Sequence, residues 1–456
     1  MQDDAGVIAV YVKLIQPKMR KRPMDTDLKT HMSPPLGLLT VMGVLRDKHR
    51  VVIDNENIRP ANLSDSPDIV GISVTVDTLP RALELAEVFR KRGIPVVAGG
   101  IHITTAPETI APGAFDALCI GPAEGTWPRI MADYEKGVLK PIYRCNGRFS
   151  GADIVSPAYD AIDQRDYLYC NIVHTSRGCP FRCDFCYNSC GGHAYLMRPI
   201  EDVLRDIHTV GRKHIMFIDD NFAGDPAWTR KLLQAITPLK IRWNAAVSLN
   251  VALDTNLLDL MKRSGCEGLF IGFESINADS LNAVHKGQNN LERYEQAVRN
   301  IHDRGMMVNA SFVFGLDGDT PDTFQRTLEW IIRNRIETVT SHIMTPYPGT
   351  VLYDRLKNEG RILTDDLSLY NTANVVFQPK DMTQEELMQG YLWMYRKIYS
   401  FRGILLRMPQ KPDQRAAYLM FNLLYRKFGR FSDWLCHLIG FGRIGWLGEK
   451  YSRYLD

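Results

Sequence analysis

Short apolar runs and helical patterns take turns along the first third of the chain. The runs fall at residues 7–14, 51–54, 69–74, 95–98 and 117–120, the first of them interrupted by Lys13. Between them, 36–46 and 80–92 carry apolar residues at helical spacing, with Ala82, Leu85, Ala86 and Phe89 on one face. Alternating strands and helices predict an open parallel sheet. Ligands of such sheets bind at the carboxyl ends of the strands. Small or polar residues follow the predicted strands there: Ser73 and Thr75, then Gly99, Gly100 and His102, then Gly121 and Glu124.

A second series begins near Tyr169. Its strands are predicted at 171–174, 214–218, 242–247, 268–273, 307–314 and 338–344, with helices such as 322–333 between them. Six strand–helix units predict a partial (β/α)6 barrel, whose ligands sit at the C-terminal mouth of the strands. The stretch 137–167 has little periodicity and reads as a connector. The last part of the chain reads as helical and aromatic.

Composition adds bounds. A chain of 456 residues with 45% hydrophobic content is long and apolar enough for more than one core. The net charge of +3 averages unlike parts: 401–456 holds ten Lys/Arg against four Asp/Glu, so the remainder is slightly acidic. The N-terminus lacks the basic-then-apolar layout of a secretory signal. No apolar run reaches the roughly 18 residues of a membrane span, so a cytoplasmic protein is expected. Three of the nine cysteines fall within eight residues, which predicts a metal site in a reducing compartment rather than a disulfide framework.

Those three lie in Ser176-Arg177-Gly178-Cys179-Pro180-Phe181-Arg182-Cys183-Asp184-Phe185-Cys186-Tyr187. Thiolates are the usual ligands of iron–sulfur clusters. Three ligands at CX3CX2C spacing, in a loop after a strand, leave one iron of a 4Fe–4S cluster open to chelate a substrate. Cys190 keeps a second reading open, a closed four-cysteine iron–sulfur or zinc site in a protein that is not an enzyme. Cys119, Cys145, Cys170, Cys266 and Cys436 are scattered and read as small core residues.

The CX3CX2C loop after the first barrel strand resembles the signature of the radical S-adenosylmethionine (SAM) superfamily. That resemblance implies that Cys179, Cys183 and Cys186 hold the cluster and that its open iron binds the amino and carboxylate groups of SAM. It further implies one-electron cleavage to methionine and a 5′-deoxyadenosyl radical, with flavodoxin or ferredoxin as electron donor. Phe185 is then expected against the adenine. Asp219 or Asp220, Ser248, Glu274 and Gly315, at successive strand ends, are expected around SAM.

The first domain resembles the cobalamin-binding, flavodoxin-like or Rossmann-type domains that precede many radical SAM domains. The resemblance rests on Pro34-Pro35-Leu36-Gly37, Asp68-Ile69-Val70-Gly71-Ile72-Ser73, Gly99-Gly100-Ile101-His102 and Gly121-Pro122-Ala123-Glu124. It implies cobalamin contacts by Ser73, Thr75, Gly99, Gly100, His102, Gly121 and Glu124. The D-x-H-x-x-G motif that supplies a cobalt-ligating histidine elsewhere is absent. The expected domains are 1–136 for cobalamin, 137–167 as linker, 168–363 for radical SAM and 364–456 as a helical region.

The C-terminal part resembles the extra domain of a branch that includes hopanoid-methylating enzymes. Within 401–456 one helical face is expected to carry Ala417, Phe421, Leu424 and Phe428, near Arg426, Lys427 and Arg430, with Trp434 and Trp446 following. Such a surface suits either peripheral contact with an anionic membrane or ordinary packing on the barrel. No nucleic-acid module is visible. The expectation is a cobalamin-dependent radical SAM C-methyltransferase acting on a hydrophobic, lipid-like substrate. Cyclisation, oxidation, ring contraction or carbon–carbon coupling on the same scaffold is the competing reaction class.

Overall fold

The computed structural model describes all residues except 1–8, 23–24, 26, 146–147, 193–194, 425–429 and 454–456. Two compact units result: Met1–Arg20 with Pro34–Ile162, and Lys21–Ser33 with Asp163–Asp456.

The first unit is a parallel sheet of β1 (Tyr11–Gln16), β2 (Arg50–Asn55), β3 (Ile69–Ser73), β4 (Val96–Gly99), β5 (Ala117–Ile120) and β6 (Ile142–Arg144). Their spatial order is β2-β1-β3-β4-β5-β6. The order reverses between β1 and β3, the switch point where flavodoxin-like sheets open a crevice. Lys13 breaks the apolar run of β1 because its buried ammonium is neutralised by Asp54 (2.9 Å) and Asp65 (2.7 Å). Gly71 is small for a packing reason: a Cβ there would lie 2.7 Å from the Trp127 ring and 2.8 Å from Leu14. The expected connector is partly sheet, since its residues 142–144 form β6 on β5. Three residues are too few to show a period, which is why the pattern missed them.

The second unit holds six parallel strands in the order β14-β13-β12-β11-β10-β7. They are β7 (Ile172–Val173), β10 (His214–Phe217), β11 (Arg242–Val247), β12 (Cys266–Glu274), β13 (Met307–Phe314) and β14 (Thr338–Ile343). A two-residue pairing of β8 (Ser176–Arg177) with β9 (Leu196–Met197) closes the base of the loop between them. Alternate residues of the long strands bury an outer layer against helices: Trp243 with Phe217 and Phe222, and Phe273 with Tyr294 and Trp330. The intervening positions Met216, Asn244, Ala246, Phe270, Asn309, Thr340 and His342 stay half-buried. Strand alternation assigns them to the other face, the inside of the open barrel.

The residues after 363 extend this unit's core, with Phe377, Leu387, Tyr391 and Met394 among its buried members. The helix Pro412–Leu424 buries Tyr418 and Asn422, whereas Ala417 and Phe421 are half-buried. Its inward face is therefore one position round from the expected one, because the hydroxyl of Tyr418 and the amide of Asn422 donate to the Ile404 and Glu337 carbonyls. Arg426, Lys427 and Phe428 lie outside the described residues, as do the side chains of Leu424 and Arg430.

Arg407 is fully buried and donates to the carbonyls of Ile336, Glu337, Ile398 and Gly403. It joins the C-terminal helices to the entry of β14. Arg407→Met removes a charge-assisted donor from buried acceptors, each worth about 1–3 kcal/mol when left unsatisfied. We expect a loss of about 2–3 kcal/mol, read as a lowered urea midpoint at unchanged slope.

Candidate active site

The CX3CX2C segment lies between β8 and β9, at the mouth of the barrel. Cys183 is buried, while Cys179 and Cys186 are half-buried. Burial pushes the Cys186 thiol to about 12 and raises that of Cys183, where Lys286 and Gln288 act the other way. Among the described residues no three His, Cys, Asp or Glu side chains converge on a single-ion site.

The loop is tied to other strand ends. Asp184 N donates to Val284 O (3.3 Å), and Leu352 N donates to Asp184 O (3.1 Å). Cys190 is buried, and its Sγ donates to Gly349 O at 3.0 Å. Cys119, Cys266 and Cys436 are buried, while Cys145 and Cys170 are half-buried.

Below the loop, the strand ends bring polar groups together. Glu274 follows a register shift in β12 and has φ 64°, a left-handed conformation that non-glycine residues rarely adopt. Its carboxylate pairs with the buried Lys286, and the same ammonium lies 5.8 Å from the Phe185 ring centroid. A Cβ on Gly272 would lie 2.3 Å from Glu274 Oε1, so a side chain there would displace the carboxylate from its place beside Lys286. Ser248 accepts from Asn221 Nδ2 (3.3 Å) and donates to Asn250 Oδ1 (2.6 Å). The same Asn221 amide reaches Cys179 Sγ at 3.8 Å.

Asp219 is engaged differently. It accepts from Thr175 N (2.8 Å), Thr175 Oγ1 (3.1 Å) and Ser176 Oγ (2.6 Å), which ties the end of β10 to β8. Burial still raises its carboxyl to about 6 against these bonds. Its side chain thus positions the cluster loop, and Asp220 is the exposed member of the pair. Gly315 (φ 92°) is also structural: a Cβ would lie 2.7 Å from Leu387. Lys286, Gln288 and Asn221 were not singled out from sequence. The two after β12 lie about a hundred positions from the cysteines, and no local pattern announces them.

In the first unit, the ends of β3, β4 and β5 place Ser73, Gly99, Gly100 and Gly121 on the edge of the sheet, half-buried or exposed. Gly100 has φ 102°, and a Cβ there would lie 2.8 Å from Val74 N and O, so the β4 loop can approach β3 only with glycine. Thr75 is engaged locally, with Oγ1 donating to Asp77 at 2.7 Å. His102 faces inward: it is buried, its Nε2 lies 3.0 Å from Thr109 Oγ1, and burial lowers its pKa to about 4. Its ring is a neutral core histidine, so this edge offers backbone and small hydroxyls. Glu124 stands half-buried in the first turn of the helix Ala123–Glu135. Such an edge fits a cobalamin held without an imidazole from His102.

Comparison with known proteins agrees with the architecture. Residues 173–331 match the Radical SAM superfamily, 30–131 match the B12 binding domain, and 350–418 match a domain of unknown function, DUF4070. The chain is 28% identical over 430 residues to the bacteriochlorophyllide d C-12(1)-methyltransferase of Chlorobaculum tepidum, covering 91% of this chain and 93% of that one. It is 28% identical over 374 residues to the hopanoid C-2 methylase of Rhodopseudomonas palustris, covering 78% and 70%. The fold is similar to that of the radical SAM methyltransferase TsrM from Kitasatospora setae, with TM-score 0.62 at 18% identity, covering 77% and 75%. The two domains imply a 4Fe–4S cluster, SAM and cobalamin as cofactors. The chain thus carries a radical SAM domain with a B12-binding domain ahead of it, the two domains of a cobalamin-binding radical SAM enzyme.

Proposed function

We propose that this enzyme transfers a methyl group to an unactivated carbon of a hydrophobic, polycyclic substrate. The carrying observation is the conjunction of the cysteine loop at a barrel mouth with a sheet domain whose strand order is 2-1-3-4-5-6. The two similar methylases named above act, by their names, on a bacteriochlorophyllide and on a hopanoid. When bound, the cofactors supply the radical and the methyl group, which an sp3 carbon needs because it is not a nucleophile.

The chain's own residues do the rest. Cys179, Cys183 and Cys186 would hold the cluster, and Ser73, Gly99, Gly100 and Gly121 would admit the corrinoid at the sheet edge. Phe185, Ser248 and the Glu274–Lys286 pair would position SAM. Inside the barrel, Met216, Ala246 and Phe270 stay half-buried, with Ile218 at 42% exposure beside them. Apolar side chains left accessible there support an apolar substrate. At the bottom, His214 lies between Asn171 and Asn244, 2.9 Å from each amide nitrogen, and burial lowers its pKa to about 4.

Phe401, Leu405, Trp434, Leu438 and Trp446 are exposed in the basic C-terminal segment, which supports peripheral contact with a membrane carrying such a substrate. No helix among the described residues is long and apolar enough to cross a membrane.

The test is anaerobic purification with iron, sulfide and cobalamin, then turnover with methyl-deuterated SAM and either a chlorin pigment or a pentacyclic triterpene. Retained cobalt and a product in which CD3 replaces one hydrogen are expected. Cleaved SAM with no gain in product mass moves the enzyme to cyclisation, oxidation or coupling chemistry.

A further inference from the structure

A turn after β12 carries two polar side chains to the cluster loop. Its anchors are on both flanks. His285, at φ 50°, places Nδ1 2.6 Å from Asp184 Oδ2. Asn289 Nδ2 donates to the carbonyls of Gly272 (3.0 Å) and Phe273 (2.8 Å). A left-handed non-glycine residue persists only where its surroundings over-determine it. Between these anchors Lys286 meets Glu274, and Gln288 Nε2 reaches Cys183 Sγ at 3.5 Å. From the end of β10, Asn221 Nδ2 reaches Cys179 Sγ at 3.8 Å.

Reduction adds negative charge to a cluster and its sulfurs. An N–H aimed at a ligand sulfur therefore stabilises the reduced state more than the oxidised one, and hydrogen bonds to sulfur are among the levers that set such potentials. We propose that Gln288 and Asn221 are tuning residues that raise the reduction potential of the cluster through N–H···S bonds to Cys183 and Cys179. This rests on the reading that Cys179, Cys183 and Cys186 hold the cluster. The turn is the device that makes the tuning reproducible, because it fixes the Gln288 amide against both the cluster loop and β12.

The test uses the full chain loaded anaerobically with iron and sulfide, titrated with dithionite and followed by the EPR signal of the reduced cluster. Gln288→Leu is expected to lower the reduced-to-oxidised ratio at a fixed solution potential by about tenfold, which for one electron is about 59 mV. Gln288→Glu should lower it further, because its carboxylate adds charge and donates nothing. Asn221→Ser should shift it less, in the same direction. A full iron complement with an unmoved potential in both Gln288 variants overturns the proposal. If Gln288→Leu alone loses its iron, Gln288→Glu and Asn221→Ser decide on the same criterion. Loss of iron from all three variants also overturns it, since the side chains then hold the loop rather than tune the cluster. Iron retained in full by Cys183→Ala overturns the ligand reading instead, and shows in metal content rather than in potential.

Discussion

Cys179→Ala, Cys183→Ala and Cys186→Ala are each expected to lose the cluster and all SAM cleavage, whereas Cys190→Ala keeps both. The three thiols share one loop whose base is closed by β8 and β9 and whose middle is tied to Val284 and Leu352. Each would anchor a different iron, so no neighbouring thiol replaces a missing one. Cys190 is set apart by its contact, since its buried Sγ donates to Gly349 O at 3.0 Å. Losing that bond costs about 1 kcal/mol of local stability and leaves the ligands in place. Iron and sulfide content, with 5′-deoxyadenosine release, gives the readout. A Cys190→Ala protein without a cluster would falsify the three-ligand assignment and restore the closed four-cysteine site.

Asp206→Leu should cost about 3–5 kcal/mol, the usual penalty for stranding one partner of a buried ion pair. Arg198 and Asp206 are almost wholly buried, at 0% and 1% exposure, and meet at 2.6 Å. Arg198 follows β9 directly, and its Nη1 also donates to His174 O at the end of β7. Asp206 lies on the helix Ile200–Val210. The pair therefore fastens the closing strand of the cluster loop to the first barrel helix. Chemical denaturation should show the lost stability, and the loaded cluster should decay faster in air. The double variant Arg198→Met/Asp206→Leu should regain most of the loss, since it removes both charges together. A single variant within about 1 kcal/mol of the parent would mean that solvent reaches Arg198 and screens it.

The two buried acids near the strand ends show why single residues mislead. From sequence, Asp219 is an acid at a strand end and reads as a ligand contact. In the fold, its Oδ1 accepts from Thr175 and Ser176, residues 44 and 43 positions away. Asp319 repeats the arrangement: it accepts from Ser280 Oγ (2.6 Å) and Gly315 N (3.0 Å), and burial raises its carboxyl to about 6. Both hold loops at the mouth, and nothing local in the sequence separates such a role from binding.

What the sequence alone determined is whatever short-range chemistry encodes. Both strand–helix series were legible because burial imposes its period within a dozen residues, and the bounds of β5, β11 and β13 were read to the residue. The cysteine loop was legible because a cluster takes its ligands from one short segment. Only the tertiary structure decided the rest. It turned His102 into the core, set Cys190 on Gly349, moved the inward face of the helix Pro412–Leu424 to Tyr418 and Asn422, and delivered Lys286 and Gln288 to the cluster loop. Each of these outcomes is a contact between residues that are distant in the chain or a choice between two faces of one element. Such outcomes follow from which partner is available to satisfy a buried polar atom, and that is settled only when the strands have taken their order.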